Sequence, residues 1–123
     1  MTNEPHGAVT KAASTTALYP GHPLNLSFVA KRTDGGGLDC WNVMPISSYI
    51  QACMKGRELG QEYLAFVGQH PTNGNVILLS WIVASMLEKS AAGQNHRGLA
   101  VGFFAEVNRH AIATAALLAD KSP

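Results

Sequence analysis

The run Val76–Leu87, VILLSWIVASML, constrains this chain more than any other stretch. Its twelve residues carry no charge, and Ser80 and Ser85 are its polar members. A bilayer span needs about 20 apolar residues, so the run is too short to cross a membrane. It reads as a helix that is apolar on nearly every side, and such a helix needs cover all round. The sequence therefore predicts a central apolar helix over about 76–89 with the other elements packed around it. Asn73 or Asn75 stands where a cap is needed, and Lys89 sits near the end, where the helix dipole favours a cation.

Two further helices follow from three- and four-residue spacing. One is expected over about 48–67, capped by Ser47 or Ser48, with Tyr49, Ile50, Cys53, Met54, Tyr63, Leu64 and Val67 on its apolar face. Ala52, Gly56 and Gly60 form a second row on the same cylinder. Glycine inside a helix costs about 0.5–1 kcal/mol relative to alanine, so the row signals close approach of another backbone, either within the domain or across a dimer seam. The last helix is expected over about 99–119, with Leu99, Phe103, Val107, Ala111 and Leu118 as its stripe. Ahead of the helices, Leu24, Leu26 and Phe28 alternate with other residues, and Leu38–Val43 is a second short apolar run. With Gly35-Gly36-Gly37 between them, these predict a β-hairpin over about 24–43. The fold class expected is α+β, mainly α: an N-terminal β-hairpin packed on a three-helix domain. Residues 1–20 read as a flexible arm and residues 21–123 as one globular domain.

Several chemistries find no pattern here. The five histidines, His6, His22, His70, His96 and His110, make no HxH or HExxH arrangement, so neither a metal nor another cofactor is expected. Cys40 and Cys53 are too few for a disulfide framework. With no basic and apolar leader in view, they read as reduced thiols of a cytoplasmic protein. A thiol or histidine enzyme requires one of them beside a histidine base. The triple glycine lacks the helix start that a phosphate loop requires. Lys31 and Arg32 at the hairpin tip, with Arg97 or Arg109, are the cations a small nucleic-acid-binding regulator would use, although no basic stripe gathers them.

Charged residues make up 14% of the chain, and the net charge is +1. Interface cores are depleted in charge, so this composition points to protein contact without catalysis. Trp41 lies either in the core near Trp81 or outward as an interface anchor. The candidate partner-binding residues are Lys31, Arg32, Trp41, Arg57, Gln61 and Glu62.

One resemblance adds to this reading. It is carried by Trp41-Asn42-Val43 and Pro45, then Tyr49, Cys53, Gly56-Arg57 and Glu62-Tyr63-Leu64. It continues with Leu79-Ser80-Trp81-Ile82-Val83, Met86 and Val101-Gly102-Phe103-Phe104. Over about residues 40–107 the chain resembles small accessory proteins encoded on bacterial plasmids and integrative elements. The resemblance implies a setting in which small proteins counter host defences, as anti-CRISPR and antirestriction proteins do. The expected function is that of a non-enzymatic protein-binding accessory protein. In its narrowest form it inhibits a host ribonucleoprotein such as a CRISPR effector, acting as a monomer or homodimer.

Overall fold

The computed structural model describes residues 19–121. It is mainly helical with one small antiparallel sheet, the predicted class. A 3-10 turn, Pro23–Asn25, leads into β1 (Ala30–Lys31) and β2 (Leu38–Asp39). Four helices follow: α1 (Tyr49–Gln69), the short α2 (Asn73–Val76), α3 (Leu78–Ala91) and α4 (Arg97–Asp120). Among the described residues no helix is long and apolar enough to cross a membrane. The arm expected over residues 1–20 lies outside the described residues except for Tyr19 and Pro20. The carbonyls of those two accept from Asn25 Nδ2 at 3.2 and 3.0 Å.

The hairpin is real but shorter than the alternation suggested. Ala30 pairs with Asp39 and Lys31 with Leu38, and Asn42 N donates to Phe28 O at 2.8 Å. Gly35 and Gly37 turn the loop with φ of 77° and 90°, conformations that glycine adopts without strain. Residues 24–28 are not a strand. Pro23 fixes φ at the start of a helical turn, and His22 Nδ1 accepts from Leu24 N at 3.0 Å. Phe28 and Val29 are both buried, which no flat strand with one wet face permits.

The core is built on α1 and α4, which run parallel and nearly touch. A Cβ on Gly56 would land on the Leu99 carbonyl, and one on Gly102 would land on the Cys53 carbonyl. A Cβ on Gly60 would sit 2.9 Å from the Phe103 carbonyl, and one on Gly98 2.7 Å from the Ala52 Cβ. The row Ala52/Gly56/Gly60 therefore serves an internal contact, because the facing helix is equally small at that seam. This corrects the expected face of α1 in its first half, whereas Tyr63, Leu64 and Val67 of the expected stripe do pack on the core. Tyr49, Ile50 and Met54 are exposed, and Leu59, Tyr63 and Phe66 are buried with the small row. Above the seam, Trp41 packs edge-on against Phe28 and Phe103 with ring centroids 5.6 and 5.3 Å apart.

The run that dominates the sequence is not the central rod. The chain breaks helical geometry at Ile77, so the predicted single helix becomes α2 and α3. Thr72 rather than an asparagine caps α2, its Oγ1 accepting from Asn75 N at 3.3 Å. Asn75 is buried and ties α2 back to the start of the domain, donating to Gly21 O at 3.2 Å and His70 O at 2.9 Å. On α3 the buried residues are Leu78, Ile82 and Ser85; Val76, Ile77, Trp81 and Leu87 of the run face outward. With α1 and α4 packed on each other, one face of α3 suffices to close the core.

Lys89 does more than meet a helix dipole. Its Nζ donates to Asp39 Oδ2 at 2.7 Å and to Trp41 O at 2.8 Å, which clamps β2 onto α3. Both side chains are mostly covered. Removing one partner of such a pair strands the other, so Lys89→Met is expected to cost about 1–3 kcal/mol, read by urea denaturation. An unchanged midpoint would show the clamp to be ornamental.

Candidate protein-docking face

The exposed flank of the α1/α4 pair brings together Arg57 and Gln61, two of the six candidate residues. From α1 come Ile50, Met54, Arg57 and Gln61; from α4 come Val101, Ala105, Glu106 and Arg109. Met54, Arg57, Val101, Ala105 and Arg109 border a shallow depression of about 430 Å³ along the seam. Ile50 is 72% exposed, Met54 62% and Val101 44%. Helical periodicity brings each set to one face, and the glycine crossing brings the two faces together.

Glu106 is the electrostatic centre of this flank. Its Oε1 lies 2.5 Å from Arg109 Nη2 and 3.4 Å from Arg57 Nε. The hydrogen bond from Arg109, supported by Gln61 and by the charge of Arg57, holds its carboxyl below the usual range. The result is a fixed anion with two arginines spread over it, beside an apolar strip. Such an arrangement suits protein contact, where arginine and methionine are enriched and a partner desolvates the apolar centre.

The other candidate residues are placed elsewhere. Trp41 is 0% exposed and packs on Phe28 and Phe103, with the His96 ring 6.5 Å away. It is a core residue and no interface anchor, whereas Trp81 is exposed on α3. Glu62 is a structural tether: Oε2 accepts from Ser27 N and Oε1 from Ser27 Oγ, both at 2.6 Å. Arg32 is committed to Glu88 at 2.5 Å and to Leu38 O at 3.1 Å. Lys31 is exposed on β1. Arg57 and Gln61 are thus the two candidates the fold joins. Met54, Val101 and Glu106 were missed, because the spacing of Met54 fits a core stripe and Glu106 gains its partners only when α4 meets α1.

A second depression of about 920 Å³ lies between the hairpin and α3, with Trp81, Arg32 and Ser85 on its wall. Two of its polar groups are engaged within the fold: Arg32 by Glu88, and Ser85 Oγ by the Cys40 N–H at 3.0 Å. Cys40 is buried, and burial pushes its thiol up, away from the thiolate a nucleophile requires. Among the described residues neither sulfur is hydrogen-bonded to a histidine, and no group of three or more acidic, histidine or cysteine side chains could hold a metal.

His96 closes the core next to Trp41. Among the described residues its Nδ1 has no hydrogen-bond partner, its Nε2 meets Gln94 Oε1 at 3.1 Å, and burial, aided by the Lys89 charge, lowers its pKa from 6.5. The unfolded chain therefore takes up a proton that the folded chain refuses. Stability is expected to fall as pH drops below about 6.5, and the fall should flatten in His96→Gln. Asp39, held below 3.8 against the cost of burial by Lys89, loses its contribution only at still lower pH. Melting temperatures between pH 7.5 and 5 test this; parallel curves for the two proteins would exclude His96.

No family model matches the chain, and no curated protein or solved structure matches it.

Proposed function

We propose that this chain is a non-enzymatic protein-binding protein that docks on a larger partner through the α1/α4 flank. In its narrowest form it is an accessory protein of a bacterial mobile element that inhibits a host defence complex such as a CRISPR effector. The observation that carries the docking reading is the exposed strip of Ile50, Met54 and Val101 beside the Arg57–Glu106–Arg109 cluster. Large apolar side chains in contact with solvent next to fixed arginines are what a partner can desolvate and pair with. The narrower role draws on the resemblance to plasmid-borne accessory proteins.

Nucleic acid is the weaker partner for this surface. Arg57 and Arg109 share an anion, and Arg32 is paired with Glu88, so few cations are left to release counterions from phosphates.

The test is a quantitative pull-down from bacterial lysate, joined to a plasmid-interference assay with a CRISPR effector. Met54→Glu and Val101→Glu are expected to abolish both capture and inhibition with little change in melting temperature, because both side chains already face water. Lys31→Glu, at the hairpin, should behave as wild type. Equal capture by wild type and Met54→Glu would remove the docking reading. Capture without any effect on interference would leave docking in place and remove the narrower role.

A further inference from the structure

The charge cluster on the α1/α4 flank is unevenly covered. The Glu106 side chain is 14% exposed, whereas those of Arg57 and Arg109 are 58% and 61% exposed. An approaching molecule therefore meets the two cations before the anion. Arg97 adds a third cation. Arg97, Val101, Ala105 and Arg109 follow one another at four-residue spacing as one exposed ridge of α4. Arg97 lies close enough to Tyr49, in the first turn of α1, for its charge to act on the phenol. Its guanidinium makes no ion pair among the described residues. The next charges on α1, Lys55 and Glu58, pair with each other at 3.8 Å. Three arginines against one carboxylate leave this flank with a net charge of +2.

Between the cations the surface is apolar and hollow. Small groups, Cys53, Gly102 and Ala105, line the depression together with Met54 and Val101. We infer that, on the docking reading above, the element of the partner seated here is an acidic amphipathic helix. Its apolar side chains enter the depression. Its carboxylates meet Arg97 at one end and Arg57 with Arg109 at the other. A groove between two helices accepts the ridge of a third, and a helix presents apolar and acidic residues on one face at three- and four-residue spacing. Carboxylates suit the cations because arginine binds them through two parallel hydrogen bonds. Arg97 and Arg109 are twelve residues apart on α4, which is about 18 Å at 1.5 Å per residue.

Other occupants fit this face less well. A second copy would set the same arginines against each other across a two-fold axis. A basic helix meets like charge. A flat anionic membrane meets the cations but leaves the depression unfilled.

The probes are three fluorescein-labelled peptides, each about 18 residues long so as to cover that span as a helix. They share one leucine stripe at helical spacing, and their flanking positions carry glutamate, glutamine or lysine. Fluorescence anisotropy with the intact chain is expected to rank them in that order, with about tenfold or more between first and last at low salt. High salt should shrink the gap, because exposed charges are screened. Arg97→Glu should narrow the gap by about threefold, and it suits the start of α4, where the helix dipole favours an anion. Arg97→Glu combined with Arg109→Glu reverses the sign of the flank and should invert the ranking, which no unfolded chain can mimic. Met54→Glu should lose all three peptides. Equal binding of the three, no binding of the glutamate peptide at roughly millimolar concentration, or a ranking that survives both charge reversals would each overturn the inference. So would sedimentation with phosphatidylglycerol vesicles that Met54→Glu abolishes, since a lipid surface would then be the occupant. Capture from lysate that still requires Met54 would in those cases leave the docking reading standing without the acidic helix.

Discussion

Gly102→Ala is expected to destabilise the protein by about 3 kcal/mol or more, although alanine is the better helix former by about 1 kcal/mol. The added methyl would occupy the position of the Cys53 carbonyl oxygen, and neither helix backbone can yield without parting the pair. Separating α1 from α4 also loosens Leu59, Phe103 and Leu99, which are packed between them. Gly56→Ala meets the Leu99 carbonyl in the same way and should behave alike. The control is Gly68→Ala near the end of α1, where a Cβ meets nothing within 4 Å. There propensity alone acts, and a gain of about 0.5–1 kcal/mol is expected. Thermal and urea unfolding of the three variants give the comparison. A Gly102→Ala protein as stable as wild type would mean that the helices do not meet through their backbones.

Trp41→Ala is expected to cost about 3–5 kcal/mol, the usual range for emptying a large aromatic site. A domain of ordinary stability holds about 5–15 kcal/mol, so this variant should be partly unfolded at room temperature. Trp41 is the largest fully buried side chain and contacts rings from the N-terminal segment and from α4, so its loss detaches the hairpin from the helices. Trp41→Phe should be much milder. It keeps an aromatic edge against Phe28 and Phe103, and it removes an indole N–H that has no hydrogen-bond partner among the described residues. Shedding an unpaired buried donor recovers about 1–3 kcal/mol, which offsets most of the lost area. Full stability in Trp41→Ala, measured by urea titration, would return Trp41 to the surface.

Both predictions concern positions that the linear pattern left open between two uses. The glycine row on α1 fitted an internal seam better than a dimer seam, but the spacing alone allowed both. Gly98 and Gly102 on α4 decide the matter, because a small row can be covered closely only by another small row. Trp41 was open between core and interface, and the hairpin decides it by turning Phe28 toward the ring.

What the sequence determined by itself is local. Ser48 caps α1 by accepting from Gln51 N, the glycines turn the hairpin, and the long periodic segments are helices close to their predicted limits. Each depends on residues a few positions apart, whose backbone needs are met within one turn. Tertiary structure decided which face of each helix goes inward. Ile50 and Met54 have the spacing of a core stripe but stand in water, because the steric advantage of backbone contact at Gly56 and Gly102 outweighed the burial of larger side chains. The apolar run at 76–87 was long enough to be a central rod, yet α3 became a one-sided cover once α1 and α4 filled the centre. The same choice left Met54 and Val101 exposed, and the surface assigned here to a partner lies where that packing stopped.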